Sequence, residues 1–366
     1  METYISSETV TRRRPRGEPM DECKCASQRE LFDKTCELAI RYLNGDGVAK
    51  DEKRAIKLLE QLAAHGHADA QCTVGICLVN GQGVAKDMGR AAALFKQATD
   101  QGHAEAQFSL GCCYGRGEGV VKNDTRAVAL YKHAADQGHA GAQSNLACHF
   151  LHGTGVAKDE HRAVALFQAA AKQGHASAQY SLGWCYRDGD GVSKDYVQSA
   201  KNFQLAAEQG HAKAQHCLAT AFVHGQGVPQ DTRRAVQLWQ LAADQGLDQA
   251  QYSLVICLFY GDVGVPQNIE LAYKICKLAA REGDEDARAL LVTIKAALAP
   301  RACAACTTVE PAVRTYPKCE RCRVVYYCNA ACQHAHWKKH KLECKVLADK
   351  AEAEKRGVFA SMSQGR

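Results

Sequence analysis

Apolar residues recur along most of this chain at helical spacing, and the arrangement itself repeats. Within residues 103–138, Ala106, Leu110 and Tyr114 stand at i, i+4 and i+8, one apolar stripe. Beyond the segment Gly117-Glu118-Gly119-Val120, Ala127, Leu130, Tyr131, Ala134 and Ala135 stand at i, i+3, i+4, i+7 and i+8. This spacing predicts two amphipathic helices joined by a turn in which glycine takes up positive φ. The pair returns with a period of 36 residues, the mark of a repeat architecture. His67, His103, His139, His175 and His211 fall 36 apart; Leu247 takes the next place and Asp284 follows after 37, the extra residue lying in the 261–264 loop. Gly47, Gly83, Gly119, Gly155, Gly191 and Gly227 each precede a valine, as Gly264 precedes Val265, so there are seven copies.

The columns keep their character. Leu146, Leu182, Leu218 and Leu254 match Leu110, and Phe95, Phe167, Phe203 and Trp239 match Tyr131. Asp51, Asp87, Asn123, Asp159, Asp195, Asp231 and Asn268 precede the second helix of every copy as N-caps, contributing about 1 kcal/mol each. Gln-Gly-His closes that helix, with glycine at C′. Gly111 and Gly183 sit beside the leucine column, where a helical glycine costs about 1 kcal/mol against alanine, and are read as letting helices approach. Residues 284–298 read as a capping helix ending before Pro300. A lone hairpin cannot bury both faces; stacking buries them. The expected fold class is therefore all-α, an α/α superhelical solenoid of seven helix-hairpin repeats.

The motif A-x-A-Q-x-x-L-G-x-x-Y-x-x-G-x-G-V-x-x-D-x-x-R-A-V-x-L-F-x-x-A-A over residues 31–283 resembles the Sel-one-like repeat (SLR) family, relatives of the tetratricopeptide repeats. The resemblance implies a right-handed superhelix used for protein–protein interaction and complex assembly. Ser199, where other copies have alanine, and the seventh copy, which lacks the histidine, depart from the family motif.

Charge and cysteine separate the rest of the chain from the repeats. Residues 31–299 hold 27 Lys/Arg against 28 Asp/Glu, whereas 300–345 hold nine against three. Neutrality along the array excludes a general nucleic-acid footprint there. Arg12, Arg13, Arg14 and Arg16 form a basic run in residues 1–30, read as a disordered tail, with a nuclear-import signal as the sharper alternative. No apolar signal-peptide core and no apolar run of about 18 residues is present, so no membrane association is expected. Of 19 cysteines, several occupy repeat columns (Cys77, Cys113, Cys185, Cys257) and read as small apolar packing residues; free thiols fit a reducing cytoplasmic or nuclear setting. The column histidines, one per 36 residues, are too dispersed to share a metal and read as turn residues.

Seven of the cysteines cluster with one histidine at the far end: Cys303-x2-Cys306-x12-Cys319-x2-Cys322-x5-Cys328-x3-Cys332-x7-His340-x3-Cys344. Eight soft ligands in four close pairs suit two tetrahedral Zn²⁺ ions with no open position, structural rather than catalytic. So small a module needs metal as folding energy. His334 and His336 compete for the histidine place, but the spacing of His340 to Cys344 puts both on one helical face. Spacing alone leaves the pairing of the four ligand pairs open. With YYCNAACQHAHWKKHKLEC, this segment resembles a MYND-type zinc finger. The resemblance implies cross-brace pairing, with Cys303, Cys306, Cys328 and Cys332 on one zinc and Cys319, Cys322, His340 and Cys344 on the other. It also implies a groove for proline-containing peptides at Gln333 and Trp337; core packing beside the zinc is the other reading of Trp337.

The expected organisation is a tail (1–30), the solenoid with its cap (31–299), the finger (300–345) and a charged C-terminal tail (346–366). The function it implies is a non-enzymatic adaptor: the solenoid binds protein partners, the finger recruits a peptide, and no small-molecule substrate is expected. Two alternatives compete. A nucleic-acid-associated or chromatin-linked zinc-finger regulator would exploit the basic finger, but seven thiolates and two Zn²⁺ cut its surplus of six to about three, and no recognition-helix pattern is present. A methyltransferase, suggested because MYND fingers occur beside SET domains, needs a further catalytic domain of more than about 100 residues for which the repeats leave no room.

Overall fold

The computed structural model describes residues 22–298 apart from 263 and 264. The described residues form fifteen α-helices and no β-strand; one isolated bridge pairs Asp262 with Val265. The first helices of the hairpins are α1 (Glu22–Asn44), α3 (Ala68–Asn80), α5 (Ala104–Arg116), α7 (Ala140–His152), α9 (Ala176–Asp188), α11 (Ala212–His224) and α13 (Asp248–Tyr260). The second helices are α2 (Glu52–Ala64), α4 (Met88–Thr99), α6 (Asp124–Asp136), α8 (Glu160–Lys172), α10 (Tyr196–Glu208), α12 (Thr232–Asp244) and α14 (Ile269–Glu282); α15 (Glu285–Leu298) follows. They fall into two compact units, residues 1–158 and 159–366. Each unit is a stretch of α/α solenoid: hairpins stacked side by side, second helix against the next first helix.

One expectation is corrected. The segment 1–30, read as a disordered tail, is helical from Glu22, where α1 begins. From Pro19 to Gly45 the sequence has no glycine or proline to stop a helix, and an acidic residue stands at its first position.

The second helices start as their sequence demands. All seven N-cap side chains accept a backbone N–H from the first turn, as Asp51 does from Arg54 (2.9 Å) and Asn123 from Arg126 (2.9 Å). The helical glycines do what packing requires. A Cβ on Gly111 would meet the Tyr131 ring at 2.7 Å, and one on Gly183 the Phe203 ring at 2.6 Å. The second glycine of each loop serves a different contact. A Cβ on Gly155 would lie 2.6 Å from the Asp124 carbonyl carbon of the preceding hairpin, at φ +71°. That glycine sets how closely successive hairpins stack, as well as turning the chain.

In the first unit the core runs from Cys36 and Leu43 through Leu59, Leu78 and Phe95 to Leu110 and Cys113. In the second, the hairpins end on α13, buried without a break from Ser253 to Phe259. The cap explains this: α15 packs on both α13 and α14. It is held by Asp284, which accepts from Ala287 N (3.0 Å), and by the Cys276 thiol donating to the Ala287 carbonyl (3.1 Å).

Candidate interaction surfaces and zinc module

The eight candidate zinc ligands, Cys303, Cys306, Cys319, Cys322, Cys328, Cys332, His340 and Cys344, and the peptide-binding candidates Gln333 and Trp337, lie outside the described residues. Their chemistry still discriminates: seven thiols and one imidazole form a soft donor set suited to zinc and poorly suited to calcium or magnesium.

The column histidines are more than turn residues. Each is the N-cap of the first helix of its hairpin: Nδ1 accepts the third amide of the helix, as His103 does from Ala106 (3.1 Å) and His139 from Ala142 (3.0 Å). An amide can only donate, so Nδ1 carries no proton and the ring proton sits on Nε2. In the first unit that proton points at a carboxylate one repeat earlier: His67 to Asp33 (2.9 Å), His103 to Asp69 (2.8 Å), His139 to Glu105 (2.8 Å). Asp69 and Glu105 are second residues of their own helices, where negative charge also favours the helix dipole. The acid column continues as Gly141, Ser177, Lys213 and Gln249, so the ladder belongs to the first repeats alone. His139 also stacks on Phe108 (4.7 Å between centroids), and in the second unit His211 stacks on Tyr180 (4.8 Å).

A second ladder is buried. In four repeats the glutamine four residues after the column position donates to a carbonyl at the end of the preceding second helix: Gln71 to Ala63 (3.2 Å), Gln143 to Ala135 (3.4 Å), Gln179 to Ala171 (3.3 Å) and Gln215 to Ala207 (3.3 Å). Its own carbonyl accepts from a glutamine thirty residues on: Gln101 to Gln71 (2.9 Å), Gln137 to Gln107 (2.8 Å), Gln209 to Gln179 (2.7 Å), Gln245 to Gln215 (2.9 Å). Gln251 ends the run with Oε1 buried and unpartnered among the described residues. Neither ladder follows from periodicity; the A-x-A-Q motif shows only that the glutamine repeats.

Each unit has a concavity, and only that of the first unit is confined to first helices and their caps. The first unit has a groove of about 420 Å³ floored by Cys36, Ile40, Cys72 and Ile76 and rimmed by Asp33, Glu37, Asp69 and Glu105. Burial raises the Cys36 thiol to about 11 and Cys72 to about 12, with nearby carboxylates adding to the shift, so the floor is protonated and inert. The second unit has a smaller cavity of about 50 Å³ beside Trp184, Ser199, His216 and Cys217. There the Arg187 guanidinium lies 3.4 Å from the Trp184 ring centre, and burial pushes His216 down to about 4.

The Asp33, His67 and Asp69 donor atoms lie within 4.8 Å of one another, a spacing a metal could use. A metal on Nε2 would leave the imidazole proton on Nδ1, which already accepts the Ala70 amide (3.3 Å). The cluster is built as a capped hydrogen-bond ladder instead.

Comparison with known proteins agrees with this architecture. The Sel1 repeat model matches seven times, at residues 35–67, 68–103, 104–139, 140–175, 176–211, 212–247 and 248–284, and the MYND finger model matches residues 297–344. A Sel1 repeat protein of Oxalobacter formigenes is 30% identical with a TM-score of 0.60, over 67% of this chain and 96% of that one. A protective antigen of uropathogenic Escherichia coli displaying an SLR fold matches with the same identity and TM-score, over 76% of this chain and 60% of that one. Among curated proteins, the SET domain and MYND-type zinc finger protein 6 of Schizosaccharomyces pombe is 40% identical over 57 residues, 16% of this chain and 11% of that protein. The Arabidopsis thaliana histone-lysine N-methyltransferase ASHR1 is 51% identical over 39 residues, 11% of this chain and 8% of that protein. The chain thus spans only about a tenth of the curated relatives it matches. The matched stretches are 57 and 39 residues, whereas its repeats match 96% of a solved Sel1 structure. The chain belongs to the Sel1 repeat family and carries a zinc-binding MYND finger after its seventh repeat.

Proposed function

We propose that this protein is a non-enzymatic adaptor that joins two kinds of partner, a protein held on the first-helix face of the repeats and a peptide held by the zinc finger. The observation that carries the reading is how the repeats spend their polar side chains. Histidines cap helices, glutamines bond within hairpins and to the hairpin before, and thiols are buried and protonated, so the repeated chemistry builds a surface. Sel1 repeats and MYND fingers are both protein-interaction modules, and this chain joins the two.

In the finger, two Zn²⁺ ions are held by Cys303, Cys306, Cys328 and Cys332 and by Cys319, Cys322, His340 and Cys344, with Gln333 and Trp337 contacting a proline-containing peptide. Both ions are structural, since eight protein ligands leave neither an open position. A cytoplasmic or nuclear location suits the ten free cysteines among the described residues. The methyltransferase activity named for ASHR1 belongs to that protein and is not part of this reading.

Affinity capture with mass spectrometry on the full chain, on Trp337→Ala and on Gln333→Ala tests it, with zinc counted by elemental analysis. Two zinc ions per chain in all three, with one set of partners lost from the Trp337 variant and another retained, is the expected result. Identical partner sets in all three would remove the finger's recruiting role.

A further inference from the structure

The groove of the first unit is electrostatically unbalanced. Asp33, Asp69 and Glu105 each accept a bond from a histidine whose other nitrogen is already an acceptor, so the ring is neutral and the carboxylate keeps its charge. Among the described residues none of these three, nor Glu37, pairs with a lysine or arginine. Arg41 lies in the same groove but donates to the Asp46 carbonyl (3.0 Å). Four carboxylates against one guanidinium leave three uncompensated negative charges around an apolar floor, where Ile40 is 38% exposed.

The chain carries the complement just before α1, in Arg12, Arg13, Arg14 and Arg16. We propose that this basic segment docks in the groove, its guanidinium groups on Asp33, Asp69 and Glu105 and its methylene stems over Ile40. The reach is sufficient. Eleven helical residues from Glu22 to Asp33 cover about 16 Å, and six extended residues from Arg16 to Glu22 cover up to about 20 Å, so the segment folds back along α1 to the rim. The four residues from Arg16 to Arg12 add about 13 Å, enough to cross the 8–10 Å to a neighbouring helix. The tether is the reason to choose this occupant over a separate basic peptide. Exposed ion pairs each contribute little, and a short tether supplies an effective concentration of the order of millimolar, which a free peptide lacks. Docking hides both the basic run and the groove from other partners, so either would be released when a stronger ligand takes the other.

The test uses the full zinc-loaded chain with a benzoylphenylalanine photocrosslinker at Thr11, and cross-linked peptides mapped by mass spectrometry. Crosslinks should concentrate in residues 33–41 and 69–76. Replacing the four arginines by glutamine, at unchanged helical circular dichroism, should lower them about tenfold or more, as should 0.5 M salt, while replacement by lysine should keep most of them. Asp33→Asn with Asp69→Asn and Glu105→Gln should act like the glutamine variant at unchanged helical circular dichroism. Crosslinks spread elsewhere, or groove crosslinks indifferent to the glutamine replacement, overturn the proposal. So do crosslinks joining isotopically distinct copies, which would make the occupant a second molecule.

Discussion

His139→Ala should cost about 2–3 kcal/mol, and the components can be separated. Loss of the cap on Ala142 N contributes about 1 kcal/mol. The ring lies 4.7 Å from Phe108 at 27°, and losing that stack contributes about 0.5–1 kcal/mol. The Nε2 bond to Glu105 holds the Glu105 carboxyl below the usual range, but Glu105 is 44% exposed, so solvent limits the contribution to about 0.5–1 kcal/mol. His211→Ala is the natural control in the second unit. It loses the same cap and an equivalent stack on Tyr180, but Ser177 stands where the acid would be. It should therefore cost about 0.5–1 kcal/mol less. His139→Asn restores a capping side chain and should recover about 1 kcal/mol.

Hydrogen exchange read by mass spectrometry on the first turn of α7 and of α11 measures these losses locally, and urea unfolding measures them globally. Nitrogen chemical shifts of the imidazoles check the premise, which requires the Nε2–H tautomer. Two results would refute the reasoning. Equal losses for His139→Ala and His211→Ala would mean the Glu105 bond contributes nothing. Asparagine no better than alanine at 139 would mean that Nδ1 is not the cap.

Gly155→Ala combines left-handed strain at φ +71° with a clash against Asp124 backbone and should cost about 2–4 kcal/mol; Gly138→Ala, at φ +87° with open space around it, should cost about 1–2 kcal/mol, a difference that thermal melting resolves. His216 has a folded value near 4 against an ordinary 6.5, so the unfolded chain takes the proton first. Its contribution is intact above pH 6.5 and declines by up to about 3 kcal/mol as pH falls to 4, and His216→Gln should flatten that part of the stability–pH curve. Chelating zinc should unfold residues 303–344 while most helical circular dichroism persists, because the repeats have cores of their own; loss of the helical signal would show the finger to be required by them.

What the sequence disclosed and what it withheld divide by interaction range. Asp51 and its column mates announce themselves because a cap bonds three residues ahead and short polar side chains do this wherever they precede an apolar period. His103 caps by the same geometry, but through an imidazole nitrogen that must be unprotonated, and histidine is not among the usual capping residues. Its other bond, to Asp69, spans 34 residues and waits on the stacking of hairpins, and that of Gln137 to Gln107 spans 30 and waits on α5 and α6 closing on one another. Gly155 reads as a turn residue from its motif; that its missing side chain accommodates Asp124 of another hairpin is a tertiary fact. The tail boundary failed for a local reason: residues 22–30 do not repeat, yet they carry nothing that stops a helix.

The seventh repeat drops two of the polar bonds that the earlier hairpins make: Leu247 offers its helix no side-chain cap, and Gln251 Oε1 has no donor among the described residues. Apolar burial takes over there. Val255, Ile256, Cys257, Leu258 and Phe259 are all buried in α13, which packs on α12, α14 and α15, where the interior first helix α5 buries one face. Asp284 then restores a conventional cap in the place the histidine held, opening α15 rather than another hairpin. The periodic bonding stops where the fold changes from a stack to a cap, one helix before the zinc ligands begin.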